Sequence, residues 1–295
     1  MYDEPFVLAG GIKMKMQNWI VAGLCILCVA GCGKSREVEE QQLALRDQGM
    51  QQALEGDYDA AIASYEEALR LADMHAGNLE LDIAAYKASA QYHAGDLQKA
   101  IDTLSAVLDL KKSAEICLAR GLLYRESGNI QAANADFSEA AELTPKKDLV
   151  MQGRLSYYME DYTNAKTCLE NAAKAGNSEA VYWEAELYWQ MGNTDYAITL
   201  YQSYLEGEAP QHQSAYARVA SWQMGQEDYD AALATLEEGI SKGEGSGMKE
   251  LLGNEIAVYE KKGDFETAKL KMESYLERYP EDEAAQREYV FLRTR

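Results

Sequence analysis

One short phrase recurs along the chain: a Gly or acidic residue, a polar turn residue, a large side chain, two spacers, then Ala. It reads Gly56-Asp57-Tyr58 with Ala61, Gly95-Asp96-Leu97 with Ala100, and Gly128-Asn129-Ile130 with Ala133. It continues as Glu160-Asp161-Tyr162 with Ala165, Gly192-Asn193-Thr194 with Ala197, Glu227-Asp228-Tyr229 with Ala232, and Gly263-Asp264-Phe265 with Ala268. Seven copies spaced 32 to 39 residues apart predict a stacked repeat array. In such an array function is sought on an extended surface, not in a single catalytic cleft.

Each copy reads as two helices joined by a tight turn. In the third, Cys117, Gly121, Leu123 and Tyr124 lie mainly along one face of a first helix, helix A. Gly128 ends that helix in a left-handed conformation, and Asn129 has the side chain to begin the next. Ile130, Ala133, Phe137 and Ala140 then share one face of helix B, and Pro145 follows where it cannot extend the helix. Small residues, Gly121 and Ala133, let the two axes approach. A large residue four positions after each Ala (Tyr65, Leu104, Phe137, Leu169, Tyr201, Leu236, Met272) fills the remaining space.

These residues resemble the signature of the tetratricopeptide repeat, which Gly121, Tyr124, Ala133, Phe137, Ala140 and Pro145 match one by one. Frames of the family's length start near Gln42, Leu81, Ala114, Lys146, Ser178, Gln213 and Lys249, and the resemblance covers residues 42–282. Four repeats depart from it, with Ala88, Ala185, Ala220 and Ile256 in place of the helix-A Gly. The resemblance implies an all-α solenoid, a right-handed superhelix whose concave face binds proteins or peptides. Residues 283–295 are expected to form a capping helix, with Ala284, Ala285, Tyr289, Val290 and Leu292 on its apolar side. A partner-docking tail is the alternative reading.

The N-terminal region addresses the chain. Trp19–Ala30 is an apolar run, short for a spanning helix and suited to a signal-peptide core, with Lys13 and Lys15 before it. It ends Val29-Ala30-Gly31-Cys32, which resembles the lipobox of bacterial lipoproteins. That resemblance makes residues 1–31 a signal peptide, Cys32 the acylated first residue of the mature protein, and residues 32–41 a short tether. The protein would then be anchored by lipid to a membrane and face the envelope or exterior. The alternative is an uncleaved anchor helix. Asp3 and Glu4 are out of place in a signal peptide, so translation is expected to begin at Met14 or Met16.

Formal charge is −21, and removing residues 1–31 leaves it unchanged because Asp3 and Glu4 cancel Lys13 and Lys15. Such a field disfavours nucleic acid, which needs a basic footprint, and steers basic partners. It would equally serve only to keep the array soluble. Among the five cysteines, Cys117 and Cys168 lie within the repeats, where Cys117 is read as a buried thiol and a Cys117–Cys168 disulfide is the other reading. His75, His93 and His212 lie in different repeats with no partner at metal-ligand or triad spacing, and no Gly-rich phosphate loop is present. No catalytic residue, metal or cofactor is therefore assigned.

Family positions that line the groove fall on Tyr92, Arg125, Arg154, Tyr157, Tyr158, Tyr182, Glu186 and Trp189. Aromatic and Arg side chains concentrate binding energy at interfaces. They would hold a peptide, or alternatively stack on the sugars of a glycan or peptidoglycan; packing between repeats is the competing role for the tyrosines. The family's carboxylate clamp needs Lys and Asn at positions where this chain has Arg46 with Met50 and Leu118 with Leu122, so that activity is not implied. Translation from Met14 or Met16 predicts that mass spectrometry of the unprocessed precursor finds no peptide from Met1–Lys13; such a peptide would rule it out.

Overall fold

A computed structural model describes residues 36–72, 77–207, 212–242, 247–280 and 282–295. The described residues form fifteen α-helices and no strand. Seven antiparallel pairs follow in order: α1 (Arg36–Leu54) with α2 (Tyr58–Arg70), α3 (Asn78–His93) with α4 (Leu97–Leu110), α5 (Ala114–Glu126) with α6 (Ile130–Leu143), and α7 (Leu149–Tyr158) with α8 (Tyr162–Lys174). The series continues with α9 (Ser178–Gln190) and α10 (Thr194–Leu205), α11 (Ser214–Gly225) and α12 (Tyr229–Ser241), and α13 (Met248–Lys261) and α14 (Phe265–Arg278), and ends on α15 (Glu283–Leu292). The described chain divides into two compact units, residues 36–143 carrying α1–α6 and Thr144–Arg295 carrying α7–α15.

The recurring phrase is the turn inside each pair. In the third, Gly128 has φ +79°, and the backbone N–H of Asn129 closes the end of α5 by donating to the Tyr124 carbonyl at 2.8 Å. The Asn129 side chain then accepts from the Ala132 N–H at 3.2 Å and caps α6. One residue thus ends a helix with its backbone and starts the next with its side chain. Asp57, Asp96, Asp161, Asp228 and Asp264 do the same. Asn193 makes only the backbone half, to Tyr188 at 2.9 Å.

This fixed turn brings the small helix-A position onto the large helix-B residue. A Cβ on Gly121 would stand 2.5 Å from the Phe137 ring, so no side chain fits there unless the ring moves. Tyr65, Leu104, Phe137, Leu169, Tyr201, Leu236 and Met272 are all buried, as expected. Each removes apolar surface worth roughly 1.5–3 kcal/mol.

Two expectations need adjustment. The proposed tether at 32–41 is already helical from Arg36, where Arg36 pairs with Glu40 at 3.0 Å and Glu37 and Glu39 favour the helix N-terminus. Residues 1–35, with the signal peptide and Cys32, lie outside the described residues. The capping helix forms, with the Asp282 carboxylate accepting from the N–H groups of Ala284 and Ala285. Its apolar face is narrower than expected: Ala285, Tyr289 and Leu292 face inward, whereas Ala284 is exposed and Val290 is 63% exposed. The spacing i, i+4, i+7 defines the inward stripe, and Ala284 and Val290 flank it.

Glu160 and Glu227 hold the left-handed turn position at φ 62° and 61°, where the other repeats use Gly. Glu160→Gly and Glu227→Gly should each raise the unfolding free energy by roughly 0.5–1 kcal/mol, the left-handed cost less the entropy of Gly. Gly121→Ala should lower it by about 1–3 kcal/mol through overpacking against Phe137. Urea titrations followed by circular dichroism would measure all three, and a sign reversed in either class would contradict the turn-and-contact account.

Candidate binding face

Helix α9 presents Glu179, Tyr182, Glu186 and Trp189 at i, i+3, i+7 and i+10, along one face. These side chains reach into the repeat that follows. Glu179 accepts a hydrogen bond from the Trp183 indole at 2.8 Å and lies 2.9 Å from His212 Nε2. The Tyr182 ring stacks on the His212 ring at 3.8 Å and 7°, and its hydroxyl is 2.9 Å from Ser214 Oγ. The His212 backbone N–H donates to the Tyr204 hydroxyl at 3.0 Å.

Further along the same face, Glu186 accepts from the Tyr201 hydroxyl at 2.5 Å. Arg218 lies 3.7 Å from Glu186 and 3.7 Å from Glu250, distances that make charge contacts and not hydrogen bonds. Its guanidinium sits 5.3 Å from the Trp189 ring centre. Burial works against the Arg218 charge, but Glu186, Tyr201 and Glu250 outweigh it and raise the pKa above the usual arginine value. Burial, with Glu186 beside it, pushes the Tyr201 hydroxyl well above the usual phenol range, so it stays a neutral donor.

A second aromatic group gathers around Trp183. Tyr157 and Tyr158 approach it at 5.9 and 5.7 Å and meet each other at 5.3 Å. The Arg154 guanidinium lies 4.7 Å over its ring.

The expected groove residues therefore divide. Tyr157, Tyr158, Tyr182 and Glu186 retain only 8%, 6%, 2% and 3% of their exposure. Their part is packing within and between repeats, which corrects their reading as open contact residues. Trp189 and Arg154 are half-buried and keep part of their surface open. Tyr92, half-buried near the end of α3 with its ring edge-on to His93 at 5.4 Å, and Arg125, half-buried in the last turn of α5, belong to the first unit and are described there alone.

Cys117 is fully buried, and burial pushes its thiol up to about 11; Cys168 is half-buried, and both are free thiols. No group of His, Cys, Asp and Glu among the described residues has metal-site geometry.

Sequence reading missed Trp183, His212 and Arg218. His212 looked isolated because its partner Glu179 is 33 residues away, and Glu186 and Arg218 are 32 apart. An offset of about one repeat length was the available signal, since it places residues on neighbouring helices A.

Known families and structures agree with this architecture. The tetratricopeptide repeat models match residues 48–115, 114–147 and 150–213. The chain belongs to the tetratricopeptide repeat family. It is 30% identical over 118 residues to the tetratricopeptide repeat protein 36 homolog of Drosophila melanogaster, a match spanning 38% of this chain and 57% of that protein's length. A tetratricopeptide repeat protein from Parabacteroides merdae shares the fold at 20% identity and TM-score 0.53, over 87% of this chain and 100% of that one. Yeast Tom70 does so at 16% identity and TM-score 0.63, over 87% of this chain and 54% of that one. Proteins built on this repeat generally act as protein-interaction scaffolds.

The Glu179 contact with His212 makes the face sensitive to acid. Burial raises the Glu179 pKa, but the hydrogen bond and charge of His212, the Trp183 indole and nearby Arg154 outweigh burial, and the net shift is downward from 4.5. A carboxylate depressed by folding contributes stability above its unfolded pKa and loses it as pH falls through the folded value. Thermal unfolding between pH 6 and pH 3 should therefore show a decline below about 4.5 that is shallower in Glu179→Gln. Equal acid slopes in the two proteins would contradict the assignment.

Proposed function

We propose that this chain is a lipid-anchored scaffold that faces the cell envelope and binds a protein or peptide segment on the helix-A side of its repeats. The family supports the binding mode, since stacked helix pairs offer a long surface and no catalytic cleft. The observation that carries the reading is Trp189. It is half-buried on α9 beside Arg218 and keeps part of its surface open, while its aromatic neighbours are committed to packing. A large aromatic partly open beside an arginine is the kind of residue that dominates an interface. The field of −21 steers a predominantly basic partner segment.

The anchor is Cys32, in the Val29-Ala30-Gly31-Cys32 sequence. No helix among the described residues is long and apolar enough to cross a membrane. The glycan alternative loses support from the burial of Tyr157, Tyr158 and Tyr182, because sugar stacking needs open ring faces.

A photocrosslinking residue in place of Trp189 should trap one dominant protein in cells. Capture of no protein, with the soluble array sedimenting with purified cell wall, would replace the scaffold with the glycan reading. Cys32→Ser should abolish palmitate labelling and release the protein from the membrane fraction. Unchanged labelling would remove the anchor.

A further inference from the structure

An ion pair inside the seventh helix pair opens onto a cleft. Glu255 of α13 is 3% exposed and accepts from the Lys271 ammonium of α14 at 2.6 Å. The third helix pair carries the same contact with its signs reversed, Arg120 with Asp136, at the same separation of 16 residues. There the guanidinium donates to both carboxylate oxygens, at 2.9 and 2.7 Å, and to Ser105 Oγ at 3.1 Å, so its donors are taken up within the protein. Lys271 gives one of its three N–H groups to Glu255, and its side chain stays 42% exposed.

The cleft offers about 460 Å³, within the range of small-molecule sites. Its walls are α12 and α14, the second helices of successive pairs, and α13 forms its floor. Lys271 and Arg278 make the α14 wall positive. Glu237 gives the α12 wall an exposed carboxylate that meets no cation among the described residues. Ile240 and Leu252 add apolar surface. A ligand of one sign would be attracted by one wall and repelled by the other. A zwitterion with an apolar body is matched on all three counts.

We propose that the cleft between α12 and α14 binds a short peptide with free termini and apolar side chains, its ammonium on Glu237 and its carboxylate on Lys271. Glu255 has a positioning role: from the floor it holds the Lys271 ammonium at the wall. The site lies on the helix-B side and is independent of the scaffold reading.

The test is isothermal titration calorimetry of the full chain carrying Cys32→Ser with leucyl-leucine, its N-acetyl form and its C-terminal amide. Leucyl-leucine should bind, and each blocked form should bind at least about tenfold more weakly, the effect of one charge-assisted hydrogen bond. Glu237→Gln should weaken leucyl-leucine to the level of the N-acetyl form and leave the N-acetyl form unchanged. Ser274→Trp, at an exposed position on the cleft wall, should abolish binding of all three. Unaltered circular dichroism confirms that the variants are folded. No heat with leucyl-leucine, equal affinities for the three forms, or undiminished binding to Ser274→Trp would overturn the site and leave the scaffold standing.

Discussion

The fold rests on one short turn used seven times. A left-handed residue stops helix A, and the next residue donates its backbone N–H to close that helix while its side chain opens helix B in six of the seven copies. That geometry sets the angle between paired helices. The angle in turn places Gly49 under Tyr65, Gly121 under Phe137 and Gly153 under Leu169. Because the turn is local, each pair can form on short-range contacts, and stacking then buries the faces that a single pair leaves open.

Within residues 144–295 the stacking is more than apolar. Helix α9 grips the next repeat through the Tyr182 ring stacked on His212, just ahead of α11, the Glu179 contact with His212, and Glu186 beside Arg218 of α11. A buried carboxylate such as Glu186 is costly unless it has partners, and the Tyr201 hydroxyl and Arg218 provide them. Such pairings fix the register of one repeat on the next. They also take side chains away from any ligand, leaving Trp189 and Arg154 as the partly open members of the expected set on this unit.

The repeats and their turns were legible in the sequence because Gly, Asp, Asn and Ala sit where backbone geometry and close packing demand them. The family's groove positions, carried over onto this chain, pick out the face that holds Tyr157, Tyr158, Tyr182, Glu186 and Trp189. They do not say whether that face meets water or the next repeat. Tyr182 is 2% exposed because His212 covers it, and that contact depends on a residue 30 positions on, beyond the reach of local pattern. The helical start at Arg36 was missed for a different reason: Arg36–Gln41 is charged and polar, and reads as tether until the Arg36–Glu40 pair is seen.

Buried charges of α9 fasten neighbouring repeats together. A double-mutant cycle on unfolding free energy, with Glu186→Gln and Arg218→Met singly and combined, measures this directly. The account predicts a coupling of about 1 kcal/mol or more, in the range seen for residues in one buried network. Additive effects, within about 0.5 kcal/mol, would mean that the two repeats are held by apolar packing alone.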